Sequence, residues 1–139
     1  LAYGIDQFAP TRVVDVATLT GAILVALGDN IAGMFSNNDL LAAQLTDASK
    51  ATGENIWRMP LHAPYKKLLK SDFADINNIG GRMAGSTTAA LFLQEFVGTT
   101  PWAHFDIAGV GAPVAEYPSV GKNASGFGVR LLLHFLQTL

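Results

Sequence analysis

Three short apolar runs predict the strands of a sheet. They cover residues 13–17, 31–35 and 102–107. β-Branched residues dominate the first run, which is typical of a strand that is buried on both faces of a parallel or mixed sheet. Turn residues such as Gly, Pro, Asp and Asn lie between the runs and the segments that follow them. The sequence therefore predicts three strands that are connected by other elements.

Apolar residues at helical spacing predict helices between and after these strands. Residues 22–27 are apolar enough for a buried helix. A second helix is expected to begin at Ser36, where Asp39 completes a capping-box pattern, and to end at Gly53. Further helices are expected over residues 65–70, 86–97 (capped by Ser86) and 126–136. Strands that alternate with helices predict an α/β fold with a mixed, largely parallel sheet flanked by helices on both faces.

The segments outside these elements carry further expectations. Residues 1–5 have the pattern of a helix already under way, so the sequence is expected to be a fragment of a larger domain. Residues 54–61 are expected to be irregular, with Trp57 packed inside, and residues 113–123 are expected to form a loop. The polar segment 71–85 is rich in Gly and Asn. A loop of this length in a compact domain is either functional or disordered.

Composition narrows the class of protein. The 139 residues suffice for a domain with a core, but 50% are hydrophobic and 14% charged. Part of the surface is therefore expected to be covered by more of the same chain or by partner subunits. The net charge of −2 gives no support for binding to nucleic acid or an anionic membrane, and no run is long enough to span a membrane. The absence of cysteine excludes disulfides and thiolate metal sites and fits a reducing compartment.

Three loops of small residues are expected to gather on one side of the sheet. They cover residues 18–22, 77–81 and 108–111. Ligands of open α/β sheets bind beyond the carboxyl ends of the strands, and the first N–H groups of a helix have no partners within it. Such loops can position a substrate, although they contain no acids or bases for catalysis. For residues 18–22, an ordinary turn from strand to helix is the alternative.

Titratable residues show no known catalytic motif. His104 and Asp106 are two apart in a predicted strand, so their side chains point to the same face. A hydrogen-bonded structural pair is favoured there over a pair of metal ligands. No nucleophile elbow, Walker loop, zinc-protease motif or cysteine pair occurs in the sequence. Spacing alone therefore predicts an α/β domain with a glycine-lined ligand face.

Several longer segments are distinctive when they are taken together and in order. They are VDVATLTGAILVALG, NIAGMFSN, GENIWRMPL, SDFADINNIGG, AGSTTAALFLQEFV, WAHFDIAG and GKNASGFGVRLLLHFL. With the residues between them, they resemble the C-terminal part of the catalytic domain of leucyl aminopeptidases, the cytosol aminopeptidase family. The resemblance covers residues 1–139. It implies a cytoplasmic metalloprotease, usually a homohexamer, that releases N-terminal amino acids from peptide substrates with a leucine-type preference.

The same resemblance implies two divalent metal ions, Zn or Mn, and a bicarbonate that acts as general base. The metal ligands of that family are a lysine and several carboxylates, and its most diagnostic motif is Asn-Thr-Asp-Ala-Glu-Gly-Arg. This motif lies just before the point that LAYGID resembles. All catalytic residues and metal ligands are therefore expected upstream of Leu1, in the rest of the same catalytic domain, and this chain is expected to be inactive alone. The alternative is a non-catalytic assembly or binding module that retains the fold.

The positions that remain in this sequence are those that bind substrate. By the resemblance, Leu19 presents its carbonyl to the peptide N–H after the scissile bond, and its N–H helps to seat the bicarbonate. The Gly21 N–H holds the next carbonyl. The residues that match the pocket for the N-terminal side chain are Thr18, Ile79, Ala108 and Gly111. The family often has Met at Gly111, so a roomier pocket is expected here; the alternative is a turn glycine with positive φ.

Overall fold

The computed structural model describes residues 1–112 and 124–139. Within them, one sheet contains the strands β1 (Val13–Ala17), β2 (Ala32–Ser36), β3 (Ile56–Arg58) and β4 (Trp102–Asp106). Their order in the sheet is β1, β4, β2, β3. Strand β1 is parallel to β4, and β2 is parallel to β3, whereas β2 and β4 are antiparallel. The predicted α/β fold with a mixed, largely parallel sheet is confirmed.

Helices cover both faces of this sheet. They are α1 (Ala2–Phe8), α2 (Gly21–Leu27), α3 (Asp39–Thr52), a 3₁₀ helix (Ala63–Leu69), α4 (Gly85–Gln94) and α5 (Val129–Gln137). Helices α3 and α5 pack on one face, with Leu45 and Phe135 in a core shared with β2 and β4. On the opposite face, Ala90 of α4 packs against Phe35 and Trp102. No helix in the described ranges is long and apolar enough to cross a membrane.

The predicted cap of α3 is wrong. Helix α3 is capped by Asn38, whose side chain accepts the Leu41 N–H at 2.9 Å. Ser36 is instead the last residue of β2, where its hydroxyl donates to the Trp102 carbonyl at 2.7 Å. The other end agrees with the prediction, because Gly53 follows the helix in a left-handed conformation.

Several other boundaries also differ from the predictions. The segment expected to be irregular contains β3, and Trp57 is 62% exposed because β3 lies at an edge of the sheet. Strand β1 lies at the other edge and is half-buried, not buried on both faces. Helix α4 follows Ala84, has no side-chain cap and ends at Gln94. Helix α5 begins later than expected, since Gly126 and Gly128 have positive φ. The loop predicted over residues 113–123 lies outside the described residues.

Candidate active site

The carboxyl ends of β1 and β4 lie side by side because these two strands are parallel and pair Ala17 with Asp106. The Ile107 N–H donates to the Ala17 carbonyl at 2.9 Å and extends the pairing by one residue. The loops over residues 18–20 and 108–111 therefore leave the sheet at the same place. Ligands of open α/β sheets bind at this kind of edge.

A buried carboxylate, that of Asp106, connects these two loops. Its Oδ1 accepts the N–H groups of Leu19 at 3.1 Å and Thr20 at 3.3 Å. The same oxygen accepts the Ala108 N–H at 3.2 Å. Its Oδ2 accepts the Thr20 hydroxyl at 2.6 Å, and Thr20 Oγ1 accepts the Ile23 N–H at 3.1 Å, which caps α2. One side chain thus fixes the backbone of both loops and the start of a helix.

The predicted pairing of His104 with Asp106 is wrong. His104 Nδ1 lies 2.6 Å from Asp15 Oδ1, because Asp15 stands directly opposite His104 in the neighbouring strand. The Trp102 indole N–H donates to the other oxygen of Asp15. Residues two apart in a strand share a face but are separated by about 6.6 Å along it, so a partner across the sheet is nearer. His104 is therefore structural, as expected, but its partner is a different aspartate.

A pocket opens between the loop after β1 and the polar loop before α4. Its volume is about 310 Å³. Leu19 and Thr20 line one side, residues 78–81 line another, and Thr88 of α4 contributes to the wall. A Cβ at Gly80 would lie only 2.8 Å from Thr88 Cβ, so the loop backbone rests directly on α4. The pocket is thus lined mainly by backbone and small side chains.

The residues predicted to bind substrate fall into two groups. Leu19 and Ile79 line the pocket, and their side chains are 40% and 72% exposed. Gly21 is the first residue of α2 and follows directly on the lining residue Thr20. The Leu19 N–H, expected to help seat a bicarbonate, donates to Asp106. A bicarbonate there would have to share this hydrogen with the carboxylate.

The second group lies where the loops after β1 and β4 meet. Ala108 is connected to this place by its hydrogen bond to Asp106. A Cβ at Gly111 would lie 3.7 Å from Thr18 Oγ1 and 3.1 Å from the Ile107 carbonyl oxygen. Gly111 is not among the glycines with positive φ. The alternative that Gly111 is a turn residue with a left-handed backbone is therefore wrong.

Comparison with known proteins shows to which family this chain belongs. Residues 1–133 match the catalytic domain of the cytosol aminopeptidase family, peptidase family M17. The chain belongs to this family. A probable cytosol aminopeptidase of Chlamydia trachomatis serovar L2 is 51% identical over 139 residues, which are 99% of this chain and 28% of that protein. The resemblance read from the sequence is thereby confirmed.

Solved structures agree with this membership of the cytosol aminopeptidase family. A mutant of tomato leucine aminopeptidase superposes with a TM-score of 0.89 at 40% identity, covering 100% of this chain and 27% of that one. The bottromycin maturation enzyme BotP in complex with Mn gives a TM-score of 0.89 at 41% identity, covering 92% of this chain and 29% of that one. The chain thus spans just over a quarter of the length of these relatives.

A cytosol aminopeptidase of the kind implied by the resemblance needs donors for metal ions. In the described parts of the chain, no three His, Cys, Asp or Glu side chains come close enough together to hold a metal. The described histidines and carboxylates therefore do not form a metal centre by themselves, and the pocket beside them is lined mostly by small residues.

Sequence reasoning missed two residues of this site. Asp106 was interpreted only as a partner of His104, and Thr20 only as part of a turn. Their contact joins positions 86 residues apart in the sequence, which no local pattern can reveal. A partial signal was present, because a carboxylate at the last position of a buried strand, just before a small-residue turn, needs N–H donors nearby.

Proposed function

We propose that the protein is a metal-dependent aminopeptidase that releases N-terminal amino acids from peptides with a leucine-type preference. In this proposal, residues 1–139 are the C-terminal portion of its catalytic domain. The observation that carries the proposal is the pair of loops that Asp106 holds at the edge of the sheet, beside the 310 Å³ pocket. Backbone groups can bind the main chain of an extended peptide with little dependence on its side chains. Such a site suits an exopeptidase that accepts many sequences.

The resemblance to the family supplies the contacts that we propose for a peptide along this edge. The Leu19 carbonyl accepts the peptide N–H after the scissile bond, and the Gly21 N–H donates to the next carbonyl. Both residues are exposed, as such contacts require. The N-terminal side chain of the peptide is received by Thr18, Ile79, Ala108 and Gly111. Holding the substrate in one geometry lowers the entropic part of the barrier.

Metal ions complete the proposal but are not placed among these residues. Two divalent ions, Zn or Mn, and a bicarbonate would supply the hydrolytic chemistry, and the complex of the relative BotP with Mn supports a metal-dependent reaction. We place their ligands and the catalytic residues outside this sequence, so the 139 residues bind and orient the peptide. We further propose that the protein works in the cytoplasm as a homohexamer. A non-catalytic binding module is the competing possibility.

Hydrolysis of leucyl-p-nitroanilide tests this function. The full-length protein with added Mn²⁺ or Zn²⁺ is expected to release nitroaniline, and a chelator is expected to abolish the release. The 139-residue chain alone is expected to stay at background under the same conditions. Turnover that follows this chain through gel filtration would contradict the placement of the metal ligands. A full-length protein without activity on leucyl substrates would favour the binding module.

A further inference from the structure

Burial holds helix α2 only weakly, although its first residue belongs to the proposed binding site. Ile23 is its single buried residue. Val25 is 90% exposed, and Leu24 is also exposed. A helix of 7 residues is too short to be stable by itself. Ala22 packs closely on Gly85 of α4, and contacts at the two ends of α2 add to this support.

Both of these contacts come from the segment that begins at Asp106. At the start of α2, Thr20 bonds the Asp106 carboxylate through its N–H and its hydroxyl. At the end of α2, a Cβ on Gly109 would lie 2.1 Å from the Gly28 carbonyl oxygen, so the two backbones are in direct contact. The Gly111 N–H donates to the Ile107 carbonyl at 2.8 Å and closes this segment into a turn. The segment after β4 thus holds α2 at both ends.

The surroundings of Asp106 also distinguish it from an ordinary loop contact. The residue is 1% exposed, and none of the ion pairs found in the described ranges involves it. A buried polar side chain is unfavourable unless hydrogen bonds replace its hydration. Three N–H groups and one hydroxyl do so here. Because each of these contacts is directional, together they hold the loop more firmly than a single hydrogen bond would.

We propose that Asp106 is a positioning residue for the peptide-binding loop. Its carboxylate holds residues 18–20 so that the Leu19 carbonyl and the Gly21 N–H face the peptide main chain beyond the scissile bond. This inference rests on the proposed aminopeptidase function. Asp106 acts through the residues that it bonds and does not touch the substrate. Three of its four bonds go to Leu19 and Thr20 and one goes to Ala108. Its loss should therefore weaken recognition of the residues after the scissile bond more than recognition of the N-terminal residue.

Two substrates separate these effects. Leu-Gly-Gly has a carbonyl after the scissile bond for the Gly21 N–H, whereas leucyl-p-nitroanilide has none. In the full-length enzyme, Asp106→Asn is expected to lower the ratio of kcat/KM for Leu-Gly-Gly to that for leucyl-p-nitroanilide by about tenfold, because small displacements of positioning groups have large effects. A smaller fraction of folded enzyme lowers both values equally. The ratio therefore does not respond to a merely structural role.

Matched variants sharpen the test. Asp15→Asn makes the same substitution in the buried contacts to His104 and Trp102; it is expected to lower stability and leave the ratio unchanged. Thr20→Val removes the hydroxyl that donates to Asp106 and should lower the kcat/KM ratio as Asp106→Asn does. Thr20→Ser keeps the hydroxyl and should keep the wild-type ratio. The double variant Asp106→Asn, Thr20→Val should have a kcat/KM ratio less than about twofold below that of either single variant, since both substitutions affect the same hydrogen bond.

Hydrogen exchange tests the proposal without activity. In Asp106→Ala, the amides of Leu19, Thr20 and Ala108 are expected to exchange about tenfold faster or more, since each loses its acceptor. The Ile107 amide, which donates to Ala17, serves as the internal control. If the wild-type protein hydrolyses neither substrate, the aminopeptidase function fails while the exchange result still decides on Asp106. If Asp106→Ala does not fold, Asp106→Leu, which also lacks an acceptor, replaces it. An unchanged ratio in an active enzyme, or unchanged exchange in a folded variant, would overturn the proposal.

Discussion

Helices α2 and α3 each follow a strand of the sheet, but different interactions hold them in place. Helix α3 buries one whole side, namely Leu41, Ala42, Leu45, Ala48 and Ser49. Helix α2 buries Ile23, which packs so closely that a Cβ on Gly33 would lie 2.4 Å from its Cδ1. The rest of the support for α2 comes from the packing of Ala22 on Gly85 of α4 and from hydrogen bonds and backbone contacts at its ends. The core is thus held by apolar area, and the proposed binding edge by directional polar contacts.

This difference has a functional consequence. Apolar contacts tolerate small shifts, because their energy depends on area and not on direction. Hydrogen bonds from several N–H groups to one carboxylate fix both distance and angle. A loop that must present single backbone groups to a peptide needs the second kind of support. Substitutions in the core should therefore change stability, and substitutions at the binding edge should change substrate recognition.

The largest expected effect is on the stability of the α3 core. Leu45 is fully buried in α3 and packs with residues of β2, β4 and α5. Leu45→Ala is expected to lower the free energy of unfolding by roughly 2.7–5 kcal/mol, because a cavity remains. Urea denaturation of the full-length protein measures this, with Leu40→Ala as control, since Leu40 lies in the same helix and is 70% exposed. A specific activity per folded molecule that falls with Leu45→Ala would contradict the separation.

The second prediction concerns Gly21. Its substitution should lower the activity and leave the stability unchanged. Gly21 is the first residue of α2, where proline is well tolerated, and Thr20 before it has the extended backbone that a following proline requires. Gly21→Pro removes the N–H donor and is expected to lower kcat/KM about 10²–10³-fold, or roughly 2.7–4 kcal/mol.

Gly21→Ala provides the matched control. It keeps the N–H, and nothing lies within 4 Å of the new Cβ, so near-normal activity is expected. Circular dichroism and thermal melting should show both variants folded with similar Tm. If the folded Gly21→Pro enzyme keeps its kcat/KM on peptides, Gly21 does not bind the substrate.

These two helices also show how far the sequence allows prediction. Helix α3 was predicted from Leu41, Leu45 and Ala48 at helical spacing and from Gly53, because burial on one side leaves a periodic pattern. The exact start of α3 was not predicted. Ser36 fits a capping pattern as well as Asn38 does, but it is the last residue of β2 and bonds the Trp102 carbonyl. Strand β3 has only 3 residues and was missed, because so short a segment shows no period.

The site was predictable only in part. The loops over residues 18–22 and 108–111 lie at one edge as predicted, because the carboxyl ends of the parallel strands β1 and β4 coincide. Residues 78–81 line the same pocket as Leu19 and Thr20, although they do not follow a strand. The resemblance suggested which backbone groups meet the peptide. The part that failed was the support behind them: His104 pairs with Asp15, and Asp106 with the loop of Thr20. Both contacts depend on which strand lies beside which, and local sequence patterns do not reveal the order of strands in a sheet.

The third prediction concerns the proposed pocket for the N-terminal side chain of the substrate, where the expected change in kcat/KM is smaller. A Cβ at Gly111 points towards Thr18 Oγ1 and the Ile107 side chain, and the backbone is not left-handed. In the proposed function Gly111 lines the pocket for the N-terminal side chain, so Gly111→Met should narrow that pocket. We expect kcat/KM for N-terminal Phe to fall at least about tenfold relative to N-terminal Ala, with Leu changing less, since each methylene in such a pocket is worth roughly 1–3 kcal/mol.

Gly111→Ala is the control for the backbone. It adds only the Cβ, which would lie 3.1 Å from the Ile107 carbonyl oxygen, so any strain of the turn appears in this variant too. Steady-state kinetics and Tm are measured on the same preparation. A constant Phe/Ala ratio with a lowered Tm in both variants would mean that Gly111 shapes the turn and does not contact the substrate.

The smallest expected effect concerns the cap of α3. Asn38→Ala removes the acceptor of the Leu41 N–H and is expected to lower the free energy of unfolding by about 1 kcal/mol. Five buried residues keep the helix in place, so kcat/KM of the folded enzyme should not change. The same loss at the start of α2, in Thr20→Val, should alter substrate recognition, since α2 has no such burial. If Asn38→Ala lowers the Leu-Gly-Gly to leucyl-p-nitroanilide ratio as strongly as Thr20→Val, α3 also depends on its end, and burial alone does not fix it.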